Sequence, residues 1–396
     1  MKNVLLNVAR FLVGILFIFS GLIKANDPLG LSYKMQEFFD VWHMPAFNHY
    51  TLVLAVVMII FEIVAGVAVL LGWRMQLFGW LLLLLILFFS FLTGYAVLSG
   101  KIRECGCFGD CIPLQAMGSF IKDLMLLALI IFLFVYRKKI RPLLSKNASI
   151  LILAFSLILS FSVQWYALQY LPFIDCLPYK TGANIPEKMK PPVGSIPDST
   201  VIHFVYEKNN KQVEYSANDL PADFDDSYKF IKRYDKLIRK GNAEPAIKDF
   251  SLGSASGNDS TSQILDRPRF KMILFSRNFP ETNPEWNKPF SVLYTLCKSK
   301  NIPVYFVTAN RGEADAYLAA NNLSAEIPVF TCDATAIKTA ARADPTIYLL
   351  KKGTILNKWS YAALESAIPD LSQLSIQSTL PPDIEGQPRD SLKMEK

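Results

Sequence analysis

Histidine is nearly missing from this chain of 396 residues: there are three, His43, His49 and His203. They are scattered, with no HxxxH or HExxH spacing, so a histidine metal site has little support. No basic cluster with interleaved aromatics occurs in the soluble part, so the net charge of +7 does not point to nucleic acid. No small-x-small cleavage site follows the first apolar run, which ends in "GLIKAND". That run therefore reads as a retained helix and not a removed signal peptide. No haem or flavin ligand set is recognisable either.

What is present in quantity is apolar sequence. Hydrophobic residues make up 52% of the chain, and they concentrate before Leu171. The remainder has ordinary soluble composition. A bilayer core of about 30 Å needs about 20 apolar residues per helix. Five runs qualify: Val4 to Ile23, Thr51 to Leu71, Leu77 to Leu98, Phe120 to Tyr136, and Ile150 to Leu171. Lysine and arginine set the orientation. Lys2, Arg10, Arg74 and the basic "YRKKIRPLLSK" (Tyr136–Lys146) belong inside. The loops Ala25–Tyr50 and Ser99–Ser119 then face outside, together with everything after Leu171. If the chain is bacterial, it is expected in the inner membrane, multi-pass, with a cytoplasmic N-terminus and a periplasmic C-terminal part.

This topology sorts the six cysteines: all fall outside. Cys105, Cys107 and Cys111 share the second outer loop, "IRECGCFGDCIPL", and Cys176 follows the fifth span. Disulfides persist in a periplasm-like compartment. One charge lies deep in a span, Glu62 in "MIIFEIVAGVAVLLGW". Such a carboxylate is costly and faces the bundle interior. It reads either as a proton carrier or quinone contact, or as a hydrogen-bonding pin between helices. Lys24 and Asp123 lie near the outer span ends; a long side chain such as lysine reaches water there by snorkelling. Gly66, one turn past Glu62, suits a close helix approach.

The runs "RFLVGILFIFSGLIK" (Arg10–Lys24) and "FEIVAGVAVLLGW" (Phe61–Trp73), with "CGCFGD" (Cys105–Asp110) ahead of a fourth span, resemble the DoxX/MauE membrane family. The resemblance covers about residues 1–140 and favours the MauE-like branch, through the cysteine loop. It implies a four-helix membrane bundle. It also implies an association with methylamine-dehydrogenase maturation, in which a periplasmic partner needs its disulfides made. The DoxX side of the resemblance implies a quinone-linked oxidase subunit.

The outer part divides by pattern. Residues 172–245 read as a lead-in region. Within it, "VIHFVYEKNNKQVEYSA" is a hairpin around "KNNK", and "DSYKFIKRYDKLIRKG" has helical periodicity from Asp226 or Ser227 to Gly241. From Ala246, strands and helices alternate, and a hairpin crosses "KKG". Residues 246–370 resemble a thioredoxin-like domain, and "DPTIYLLKKGTI" resembles the segment that carries its cis-proline, here Pro345. Where that fold carries CxxC at a helix N-terminus, this chain has "SRNFPETNPEW", without cysteine. Cys297 reads as a small buried hydrophobe inside a helix. Cys332, at a strand end, is a candidate partner for it. Residues 371–396 form a polar tail.

The expected fold is thus a polytopic helical membrane protein. A four-helix bundle (1–147) and a fifth span (148–171) precede the α/β thioredoxin-like domain. For Cys105, Cys107 and Cys111, three readings stand. The first is thiol–disulfide exchange, with Cys176 as relay and a quinone as one option for the acceptor. The second is structural disulfides, one of them tying the loop to Cys176. The third is a four-thiolate zinc site, for which CxC-x3-C is poor spacing. The function reading is redox maturation of exported proteins, with the bilayer and an unidentified periplasmic protein as partners. The alternative from another class is a non-catalytic scaffold whose outer domain is a binding module.

Overall fold

The computed structural model describes residues 2–102, 106, 109–112, 114–208, 211–217, 219–221, 224–239, 241–277, 279, 284–321 and 326–374. Cys105 and Cys107 lie outside these described residues, as does the tail beyond Leu374.

Six helices build the first domain: α1 (Lys2–Asn26), α2 (Pro28–Val41), α3 (Thr51–Leu71), α4 (Met75–Ser99), α5 (Ala116–Val135) and α6 (Lys146–Tyr170). All but α2 are long and apolar enough to cross a membrane. They match the five expected spans within a few residues. The loop expected between the first two spans is mostly helix. Asp27 caps α2 by accepting from the Gly30 N–H, and Pro28 starts it.

The bundle packs on small residues. Gly66 of α3 lies against α1 so closely that a Cβ there would come within 2.9 Å of the Gly14 carbonyl oxygen and 3.0 Å of the Ile18 nitrogen. Backbone cannot swing aside as a side chain can. Gly79 of α4 is different, since a Cβ there would find side chains at 3.5 Å. Gly66→Ala is therefore expected to destabilise the protein by about 1–3 kcal/mol. Gly79→Ala should be close to neutral. Thermal unfolding in detergent checks both, and equal melting temperatures would refute the close-packing account.

After α6 the chain enters an α/β domain. The short helix α7 (Ile185–Lys188) is followed by a three-stranded antiparallel sheet of order β2-β1-β3. Its strands are β1 (Ser199–Lys208), β2 (Lys211–Ser216) and β3 (Lys229–Arg239). The hairpin expected from "KNNK" is present as β1 and β2, with Lys208 opposite Lys211. The helix expected from Asp226 to Gly241 is instead β3. Phe230, Ile231, Tyr234, Leu237 and Ile238 have helical spacing, but long-range backbone pairing with β1 wins over that local pattern. Every residue of β3 is exposed, so no buried face was there to impose period two.

The main sheet has five strands in the order β6-β5-β4-β7-β8. Helix α8 (Thr261–Leu265) leads to β4 (Phe270–Ser276), then α9 (Pro284–Ser299), β5 (Val304–Thr308), α10 (Arg311–Ala320), β6 (Val329–Thr331), α11 (Ala334–Ala340), β7 (Thr346–Lys351), β8 (Thr354–Ser360) and α12 (Ala367–Ser372). β4, β5 and β6 run parallel, β7 runs antiparallel to β4, and β8 runs antiparallel to β7. Alternation sends Ile347 and Leu349 to a core under α9, α10 and α12, and Tyr348 and Leu350 to a core under α8 and α11. The second core also holds Tyr179 and Ile185. The expected lead-in 172–245 is thus divided. Its first part is built into the α/β domain, with Ile185 donating to the Gly353 carbonyl and Gly182 to that of Ile355.

Candidate functional site

The cysteine loop, the end of α1, the end of α6 and the α/β domain all meet on one face of the bundle. Cys111 is disulfide-bonded to Cys176, with Cα atoms 4.8 Å apart. The bond joins the loop between α4 and α5 to the chain leaving α6. Asn26, at the end of α1, secures the same place: it donates to the Ile174 carbonyl at 2.8 Å and accepts from the Ile174 N–H at 2.9 Å. This is a bond of the kind that the second reading of the loop expects, one tying it to Cys176. The zinc reading loses two of its four thiolates to this bond.

Each half-cystine follows an aspartate, and a cation from the α/β domain holds each aspartate. Arg342, after α11, bonds Asp110 at 2.6 Å and Asp27 at 2.8 Å. Lys358 of β8 bonds Asp175. Arg342 is almost fully buried. Burial works against its charge, but Asp27 and Asp110 outweigh that and hold the guanidinium above its ordinary pKa. Sequence reading missed this pair of contacts. The repeated Asp–Cys doublet, at 110–111 and 175–176, was the visible signal.

Tyr33 of α2 joins the same interface. Arg277, Lys338 and Arg342 lie over its ring, 5.8, 5.3 and 5.4 Å from the centroid. Arg277 also bonds the Tyr33 hydroxyl. Arg277 follows β4, and its backbone N–H donates to Asp344 at 3.1 Å. The Asp344–Pro345 peptide is cis. The end of the sheet where β4 finishes and where Pro345 leads into β7 therefore rests on α2, and Arg342 beside it reaches the cysteine loop at Asp110. The thiols of the α/β domain lie elsewhere. Cys297 and Cys332 are free and buried in the two cores on opposite faces of the sheet, so they form no pair. Cys332 is buried at its strand end, not exposed. Burial pushes the Cys297 thiol up to about 12 and that of Cys332 to about 11, so neither is a nucleophile near neutral pH.

Below this face, inside the bundle, Glu62 has a partner. The Lys24 ammonium donates to its two oxygens at 2.6 and 2.9 Å, and both side chains are about 96–97% buried. Lys24 was expected to snorkel outward. It turns inward because a carboxylate one helix away compensates its charge where lipid cannot. Asp123 is also buried rather than at a wet span end. It accepts from Thr93 at 3.1 Å and pairs with Lys122 at 3.0 Å.

Lys24 forms part of the wall of a cavity of about 190 Å³ between α2, α3 and α4. Met35, Phe38, Trp42, Phe89 and Leu92 supply much of the rest. The cysteine loop touches this wall. Lys34 lines the cavity, and a Cβ on Gly106, at φ +65°, would come within 3.0 Å of its side chain. Gly109 similarly rests on Ile23, the neighbour of Lys24.

Residues 2–136 match the family described as methylamine utilisation protein MauE. Helices α1 to α5 are therefore similar to that family. Residues 200–240, the small sheet, match a domain of unknown function (DUF8463). No curated protein and no solved structure matches the chain. The MauE match ends at the close of α5, so α6 and the α/β domain lie outside it.

Proposed function

We propose that this protein carries out thiol–disulfide exchange for exported proteins, in the methylamine-utilisation setting that the name of its MauE-type domain suggests. The observation that carries the reading is the disulfide Cys111–Cys176, in a loop whose Gly106 abuts Lys34 of the apolar cavity and whose Gly109 abuts Ile23, the neighbour of the ion-paired Lys24. Cys105 and Cys107 lie next to it in sequence. In the exchange, a partner thiolate attacks a sulfur of the loop and forms a mixed disulfide. The partner's second thiol resolves it, so the partner gains one disulfide and the loop gains two thiols. The loop and the α/β domain face the periplasm in this reading, and the basic turns face the cytoplasm of an inner-membrane protein.

The α/β domain is thioredoxin-like on this proposal. Its β4-β7-β8 arrangement, cis-Pro345 and flanking helices support that reading. Lacking a dithiol, it serves as binder or holder while the membrane loop does the chemistry.

The scaffold alternative has one observation in its favour: Cys111–Cys176 also works as a staple between the loop and α6. Acid-trapping of thiol states in cells separates the two. Exchange predicts a fraction of reduced loop cysteines that grows when the acceptor is depleted. It also predicts that Cys107→Ser accumulates or abolishes a reductant-sensitive adduct with a partner. Loop cysteines that stay fully oxidised under both conditions, with no change in adducts, would leave only the scaffold.

A further inference from the structure

We infer that the cavity between α2, α3 and α4 binds the ring of a lipid-soluble quinone, with Lys24 as hydrogen-bond donor to a ring carbonyl. The inference rests on the exchange reading and says where its electrons go. Regenerating a disulfide from two loop thiols releases two electrons and two protons. A quinone takes up both and leaves as the quinol, so the step balances with no further reactant.

The cavity's size fits such a ring. About 190 Å³ exceeds the roughly 150 Å³ that holds a benzene in an apolar protein interior. Its walls are flat or polarizable, with Phe38, Trp42, Phe89, Met35 and Met58 among them. Such side chains pack well on a planar ring. Its rim residues Leu54 and Phe88 are exposed on helices that cross the membrane, so the opening faces lipid and leaves room for an isoprenoid tail.

The cation selects the occupant. An ammonium has three donors. Two go to Glu62, and the group lies 5.0 Å from the Phe89 ring centroid, against the cavity. A quinone carbonyl accepts the third. An acyl chain offers no acceptor and would leave that donor facing hydrocarbon, which is costly. The loop between α4 and α5 touches the cavity wall. The loop's Gly106 abuts Lys34 of the cavity wall, and Gly109 abuts Ile23.

The test uses the full chain in lipid nanodiscs, in its oxidised state, with ubiquinone-1 and menadione as probes. Trp42 lies in the wall, so binding is read as saturable quenching of its fluorescence, the component that Trp42→Phe removes. Filling the cavity with Met35→Phe/Leu92→Phe should weaken binding by about tenfold or more. The neutral pair Lys24→Gln/Glu62→Gln keeps a contact between the helices and removes the cation. It too should lose about tenfold, the worth of a hydrogen bond to a charged group. Quenching that is unsaturable, or unchanged in both variants, or abolished equally by phospholipid chains, would overturn the quinone site. Binding is read without any thiol step. Lost binding with intact thiol cycling therefore refutes the cavity alone, and intact binding with frozen thiols refutes the exchange alone.

Discussion

Lys24→Met should cost the protein about 3–5 kcal/mol of stability, the usual penalty for stranding one member of a buried ion pair. The remaining Glu62 carboxylate is about 96% buried, beside a small cavity of about 30 Å³ that it shares with Ser20, Lys122 and Asp123, and has lost the ammonium that compensated its charge. Its ways out are protonation or partial separation of α1 from α3, and the second undoes the packing around Gly66. The double change Lys24→Met/Glu62→Leu removes both charges and should recover most of the loss. Unfolding of the three variants in detergent gives the comparison. A single variant as stable as the double would mean that the two groups are not coupled, whatever their 2.6 Å separation suggests.

Arg342→Ala has the second-largest expected effect, and it acts through Asp110, the residue next to Cys111. One guanidinium bridges Asp27 and Asp110, so its loss leaves two carboxylates facing each other in a nearly closed interface. The contact between the α/β domain and the cysteine loop should open. Reduction of Cys111–Cys176 by dithiothreitol should then quicken by about tenfold as access increases. Arg342→Lys should recover only part of the protection. A lysine is a point charge and cannot reproduce the fork whose Nε and Nη2 reach different partners. If the alanine variant is reduced at the wild-type rate, the domain does not shield the disulfide.

The spans were legible because lipid demands it. A helix that crosses a bilayer needs an unbroken apolar run, and such runs survive any tertiary arrangement. β4 and β7 were legible for a related reason, being buried on both faces of a sheet. β3 was not, because nothing buries it and its apolar residues mimic a helix. Helix α2 was overlooked although Asp27 and Pro28 give a regular start signal; it is too short to register among the spans. The site was least legible. Glu62 stood out as a lone buried carboxylate, but its partner lies 38 residues away, at a depth that only helix register decides. Arg342 is separated from Asp110 by 232 residues, and nothing local marks an arginine as destined for another domain. The loop cysteines were visible from their spacing, yet the bond from Cys111 spans 65 residues.

The small β2-β1-β3 sheet begins and ends at one spot. Ile196 and Asn242 bond each other at 2.7 and 2.8 Å, and Gly241 bonds Asp198. To the rest of the α/β domain, the segment between them is a closed excursion. Its length enters folding only through loop closure, a cost that grows slowly with residue number. By that measure a change in the length of the segment costs the five-stranded core and its grip on the membrane face little.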